Sequence, residues 1–113
     1  MTDIYGIPNC DTCRKARKWF DKQKIDHTFH DVRATGLTAT QVKGWLKSVE
    51  DNKLVNTRST TWRQLSDKER DKLGIATTEL LIAHPTLLKR PLVISGKNCT
   101  VGYDEDSWKK IFK

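Results

Sequence analysis

Apolar and polar residues change their spacing several times along this chain, and each change marks an element. Residues 3–6, DIYG, form a short apolar run that Pro8 and Asn9 break, which predicts a strand and then a loop. From Asp11 the period becomes helical. Ala16, Trp19, Phe20 and Gln23 fall on one face and Arg14, Lys15, Arg17 and Lys18 on the other, so a helix starts at or beside Cys10. Residues 27–32, HTFHDV, alternate as a strand does, with Thr28 and His30 on one side and Phe29 facing the other way. Strand, helix, strand with a helix of this length implies parallel strands joined by a right-handed crossover.

Further along, Thr38 is placed to cap a second helix, with Gln41 completing a capping box and Val42, Trp45, Leu46 and Val49 forming its apolar stripe. Residues 54–75 carry short apolar pieces among charges, with SDKER reading as a capped turn or two of helix. TTELLIAHP reads as another short helix ending near Pro85. RPLVIS and NCTVGY are strand-like runs parted by Gly96 and Lys97, the signature of a tight antiparallel hairpin, and residues 105–112, EDSWKKIF, close the chain as an amphipathic helix. There is no repeat, linker or low-complexity tract. The order of elements predicts one α/β domain over residues 1–113, with a βαβ half, a ββα half and a helical segment inserted between them.

Composition narrows the class. At 113 residues, 36% hydrophobic and 31% charged, the chain is expected to be a globular domain rather than a disordered, fibrous or membrane protein. No apolar stretch approaches the roughly 20 residues of a membrane helix, and MTDIYG does not resemble a targeting segment, so the cytoplasm is the expected location. A net charge of +7 would suit nucleic acid or an acidic protein, but the 21 Lys and Arg are spread over the whole length without an arm or block. They are read as a solvated basic surface, with no direct nucleic-acid contact expected.

The chemistry centres on Cys10 and Cys13, a CxxC pair that admits three readings: half a zinc site, a redox couple, or an accident of composition. Three cysteines cannot all pair within one chain. Zinc would need two more ligands from Cys99, His27, His30 and His84, none of which sits in a second paired motif, so no metal is expected. A redox couple needs only what is present. A thiol at a helix start faces unpaired N–H groups and the positive end of the macrodipole, which favour thiolate, and Arg14 and Arg17 add positive charge nearby. One turn further in, Cys13 reads either as a resolving thiol or as a small apolar filler of the inner helix face. Cys99, in a strand-like run without a motif, reads as inert.

Taken together, IPNCDTCRKAR, NTRSTTWRQL, LLIAHPTLLKRPLVI and VGYDEDSW resemble the ArsC/Spx family of thioredoxin-fold proteins over Ile4 to about Trp108. The short length and the opening motif are most similar to its YffB-type members, described as glutathione-dependent thiol reductases. The resemblance implies a thioredoxin-like fold and a thiol-disulfide oxidoreductase with Cys10 as nucleophile. Arg58 and Arg90 match two arginines that arsenate reductases of the family place around the oxyanion, and Pro91 matches the cis-proline of thioredoxin folds. The third arginine of those reductases would fall near Gly102, but no arginine follows Arg90. Glutathione is implied as a cosubstrate rather than a bound cofactor, acting on a thiol or disulfide substrate, and the protein is expected to be a monomer. Two alternatives come with the resemblance. One is an arsenate reductase coupled to glutathione and glutaredoxin; the other is an Spx-like redox regulator that binds the RNA polymerase alpha subunit.

Overall fold

Residues 2–112 are described by the computed structural model. In chain order the elements are β1 (Thr2–Gly6), α1 (Asp11–Lys22), β2 (Thr28–Asp31), α2 (Val32–Thr35), α3 (Ala39–Leu46), α4 (Asp51–Leu54), α5 (Thr60–Gln64), α6 (Asp67–Arg70), α7 (Thr77–Ala83), a 3-10 turn at Pro85–Leu87, β3 (Leu92–Ser95), β4 (Asn98–Val101) and α8 (Glu105–Ile111). They divide into two compact units, one made of the residues up to Asp31 and from Arg90 onward, the other of Val32–Lys89. No helix among the described residues is long and apolar enough to cross a membrane.

The first unit is built on a sheet of order β2-β1-β3-β4. Parallel pairing of β1 with β2 follows from the α1 crossover, and β1 pairs antiparallel with β3, so the βαβ and ββα halves meet at the centre of the sheet. This is the thioredoxin-like arrangement. Ile4 stands opposite Phe29 on one side and Val93 on the other, which puts all three on one face of the sheet. On that face Ile4 and Val93 form a core with Ala16 and Phe20 of α1 and Trp108 of α8, with Trp19, Ile25 and Phe112 packed around it. Trp108 is fully buried, yet its indole N–H is satisfied, donating to Thr100 Oγ1 at 2.9 Å. Its ring tilts against Phe20 at 5.1 Å between centroids, an arrangement that adds to plain area burial.

How close α1 can approach β1 is decided at Gly6. A Cβ built there would collide with Cys13 Sγ and touch the Cβ of Cys13 and the ring of Phe29. The bare glycine leaves the space in which the Cys13 sulfur sits.

The second unit is a set of short helices, none long enough to hold itself together alone, and α3, α5 and α6 are closed by side-chain caps. The capping box of α3 is as read from the sequence: the Gln41 N–H donates to Thr38 Oγ1 at 3.1 Å and the Thr38 N–H to Gln41 Oε1 at 3.0 Å. Ser59 and Ser66 cap α5 and α6 through the N–H groups of Trp62 and Glu69. Arg70 then donates to the carbonyls of Trp62 and Arg63 at 3.1 and 2.8 Å, covering the end of α5. α2, α4 and the 3-10 turn were not separately legible, being single turns too short to show a period. β2 is also shorter than expected. Val32 begins α2 rather than ending the strand, its carbonyl accepting from the Gly36 N–H at 2.9 Å.

The Gly6 contact is open to test. Gly6→Ala should destabilise the fold by about 1–3 kcal/mol through overpacking, as read from denaturant midpoints at constant m. Adding Cys13→Ala, which removes the opposing sulfur, should recover part of that loss. A purely additive double variant would show that the two positions do not meet.

Candidate active site

Cys10 is the N-cap of α1, with extended backbone (φ −97°, ψ 126°), and its carbonyl accepts the first helical hydrogen bond from Arg14 N–H at 2.9 Å. Ser, Thr, Asp or Asn usually fills such a position, with an oxygen that accepts from the orphan N–H groups of the first turn. Here a sulfur takes that place. It makes no capping hydrogen bond of good geometry, but the Cys13 N–H turns its positive end toward it. The nearer partner is Thr12, whose hydroxyl lies 3.0 Å from Cys10 Sγ and donates when the sulfur is ionised. Partial burial works against the thiolate. It is outweighed by the Thr12 hydroxyl, the Cys13 N–H, the Cys13 thiol and the charge of Arg90, so the Cys10 pKa is lowered.

Cys13 shows the opposite balance. It is buried between α1 and β1, and burial, with the Cys10 sulfur next to it, outweighs the Ile7 N–H and pushes its pKa up to about 11. Cys10 is therefore the more acidic thiol of the pair, and the Cys13 thiol beside it donates to its sulfur. Cys99 on β4 is likewise raised to about 11, by burial alone.

Cys10, Cys13, Arg90 and Pro91 all belong to the sheet unit. The Arg90–Pro91 peptide is cis, and the Pro91 carbonyl accepts from the Gly102 N–H at 2.9 Å. Gly102 has φ +77°, a conformation that an arginine at that place could adopt only under strain. The guanidinium of Arg14 is occupied close by, donating to Asp11 Oδ1 at 3.3 Å and to the Pro8 carbonyl at 3.4 Å. Arg58 lies in the helical unit, exposed in the turn before α5. Its N–H donates to Asn56 Oδ1 at 3.1 Å, and its carbonyl accepts from Arg63. Among the described residues no group of three or more His, Cys, Asp or Glu could hold a metal ion.

Thr12 is the residue that the sequence reading passed over. The signal was present: a hydroxyl two positions after an N-cap cysteine sits in the same first turn.

Two measurements follow from these balances. Iodoacetamide alkylation against pH should show Cys10 reacting with a midpoint below that of an unperturbed thiol, and Cys13 and Cys99 only near pH 11. Thr12→Val should move the Cys10 midpoint up while Thr12→Ser leaves it in place; equal midpoints in the two variants would remove Thr12 from the site. The stability signs differ between the thiols. The lowered Cys10 pKa adds stability above the ordinary thiol value, which is lost as pH falls through the lowered one. Cys13 and Cys99 favour the fold below the ordinary value, and that contribution is lost as pH climbs toward 11.

Known proteins place this geometry. The model of the ArsC family matches residues 5–111. A solved structure described as a YFFB protein is 31% identical, superposes with a TM-score of 0.94 and is matched over the full length of both chains. The solution structure of an arsenate reductase related protein from Brucella melitensis is 38% identical over 99% of this chain and 94% of its own, with a TM-score of 0.75. The global transcriptional regulator Spx of Listeria innocua is 33% identical over 97% of this chain and 86% of its own. With nearly the whole chain covered and the helix-start cysteine at the head of α1, the protein belongs to the ArsC family.

Proposed function

We propose that the protein is a glutathione-linked thiol-disulfide oxidoreductase with Cys10 as its nucleophile. The observation that carries this reading is the Cys10 sulfur at the α1 N-cap, held toward its anion by Thr12 at 3.0 Å and by the charge of Arg90. A thiol biased toward its anion is what disulfide exchange requires.

The Cys10 thiolate attacks one sulfur of a substrate disulfide. A Cys10 mixed disulfide forms, and the other sulfur leaves as a thiolate that takes up a proton. Either Cys13 or a glutathione thiolate then resolves the intermediate. If Cys13 attacks the Cys10 sulfur, it gives its proton to the departing substrate thiolate and leaves a Cys10–Cys13 disulfide. Two glutathiones then reduce that disulfide and become glutathione disulfide. If glutathione instead attacks the Cys10 sulfur, the substrate leaves as a thiolate that takes up a proton, and a second glutathione attacks the resulting Cys10–glutathione disulfide, forming glutathione disulfide and regenerating the Cys10 thiolate. On both routes the substrate gains two electrons and two protons, and two glutathiones lose them. Arg90 is suited to hold a carboxylate of glutathione or of the substrate, since a guanidinium offers two parallel donors.

Arsenate is the weaker substrate reading, because Arg58 and Arg90 match only two of the three arginines that the resemblance assigns to the arsenate reductases, and no arginine follows Arg90 near Gly102. The regulator reading draws on the Spx relatives at 33% identity.

Turnover of hydroxyethyl disulfide coupled to glutathione, glutathione reductase and NADPH tests the main reading. Cys10→Ser should abolish it, and activity retained in that variant would end the proposal. Arg90→Lys should lose about tenfold in kcat/KM, about 1.4 kcal/mol, although the charge is kept. Arsenate turnover coupled to glutaredoxin should stay well below about 1 per second; a rate at or above that would promote the arsenate reading. A complex with the RNA polymerase alpha subunit that tightens on oxidation of the cysteines would instead favour the regulator.

A further inference from the structure

Cys10 stands at the head of a ridge. Residues four apart lie one above the other on a helix surface, and from Cys10 the steps of four fall on Arg14, Lys18 and Lys22. Lys15 and Arg17 flank this row, and all five cations are exposed, against two acidic residues on the helix, Asp11 and Asp21. Two of the cations have local engagements: Arg14 pairs with Asp11, and the Arg17 guanidinium lies 4.3 Å from the centroid of the Phe29 ring. For Lys15, Lys18 and Lys22 no ion pair is found among the described residues. Like charges four residues apart, at Arg14–Lys18 and Lys18–Lys22, disfavour the helix, so the row does not serve helix stability.

We propose that this face of α1 is a docking surface for an acidic protein whose disulfide or mixed disulfide is delivered to Cys10. The inference rests on the thiol chemistry proposed above and names its substrate class. Size points to a macromolecule. From Cys10 to Lys22 the ridge is about 18 Å long at 1.5 Å per residue, whereas a fully extended tripeptide such as glutathione reaches about 10 Å. Glutathione can serve Cys10 and Arg90 but cannot cover the ridge. The chemistry points to protein rather than nucleic acid. The row leads to a nucleophilic sulfur, which calls for a partner carrying sulfur. The aromatic residues of α1, Trp19 and Phe20, are turned into the core against Trp108 and offer no stacking platform. A cationic surface of this kind raises the encounter rate with an acidic partner by about ten- to a thousandfold at low salt.

The test uses short peptides with one cysteine held as a mixed disulfide to thionitrobenzoate, the flanks being glutamates, lysines or serines. The Cys10 thiolate attacks the peptide sulfur, the new disulfide joins Cys10 to the peptide, and the electron pair leaves on the coloured thionitrobenzoate anion. Its own charge is common to all three peptides and cancels in the comparison. At low salt the glutamate peptide should react at least about tenfold faster than the lysine peptide, and the ratio should approach one in about 1 M salt, where screening shortens to about 3 Å. Lys15→Glu, Lys18→Glu and Lys22→Glu together should abolish or invert the preference and leave the serine peptide rate in about 1 M salt unchanged, which also reports that α1 and Cys10 are intact. Equal rates for the charged peptides would overturn the proposal, as would a preference that survives the reversal. Duplex DNA binding removed by the same three substitutions would overturn it in favour of nucleic acid. A separate arm uses Cys10→Ser protein and the glutamate peptide with serine for cysteine, followed by amide chemical shifts. Shifts along α1 uphold the surface even if Cys10 proves inert toward all three peptides, in which case only the reductase reading falls; α1 signals that do not move overturn it.

Discussion

A sulfur seated where a Cβ would otherwise stand, Cys13 over Gly6, sets how closely α1 lies against β1, and the position of the candidate nucleophile follows from it. Only glycine leaves that space, and only a small, soft side chain fills it without forcing the helix outward. The first turn of α1 is thereby held against the sheet at Cys13, three residues after its N-cap. The same packing keeps the Cys13 thiol out of water and protonated, so that it acts as a donor toward Cys10. Packing and reactivity are two consequences of one contact.

The charge state of Cys10 is a contest between desolvation and a few dipoles. A half-buried thiol would ordinarily be pushed toward its neutral form. Here a hydroxyl, an N–H and a thiol all point at the sulfur, and the Arg90 guanidinium just ahead of β3 adds its charge. None of these is strong alone. They act together because α1 begins at Cys10, so that Thr12 and Cys13 share its first turn, and because the unit returns through Arg90 to β3.

The rest of the sheet unit supports that first turn. Phe20, two turns beyond Cys13, is clamped by Trp108 and Phe112, with ring centroids 5.1 and 5.3 Å apart, and the Trp108 N–H is anchored on Thr100 of β4. α1 is thus pinned at both ends, by sulfur against glycine at one and by aromatic packing at the other. Its outer face is left free to carry cations.

What the sequence by itself determined is whatever depends on neighbours in the chain. The start of α1 at Cys10, the Thr38–Gln41 capping box, the Gly96–Lys97 hairpin and the parallel β1–α1–β2 unit are set by local dihedrals, caps and side-chain periods, and each was legible. The family resemblance carried further, to the thioredoxin-like fold, because its motifs run the length of the chain. The antiparallel pairing of β1 with β3, the seat of Cys13 on Gly6 and the presence of Arg90's charge at Cys10 were decided only by the tertiary structure. Arg90 is eighty positions from Cys10 in the chain. Such contacts depend on which faces meet once the sheet has closed, and no spacing along the chain encodes the distance between a sulfur and a glycine on different elements. Thr12 lies between these cases: its place beside Cys10 is local, but its hydroxyl matters only because the fold half-buries the sulfur it faces.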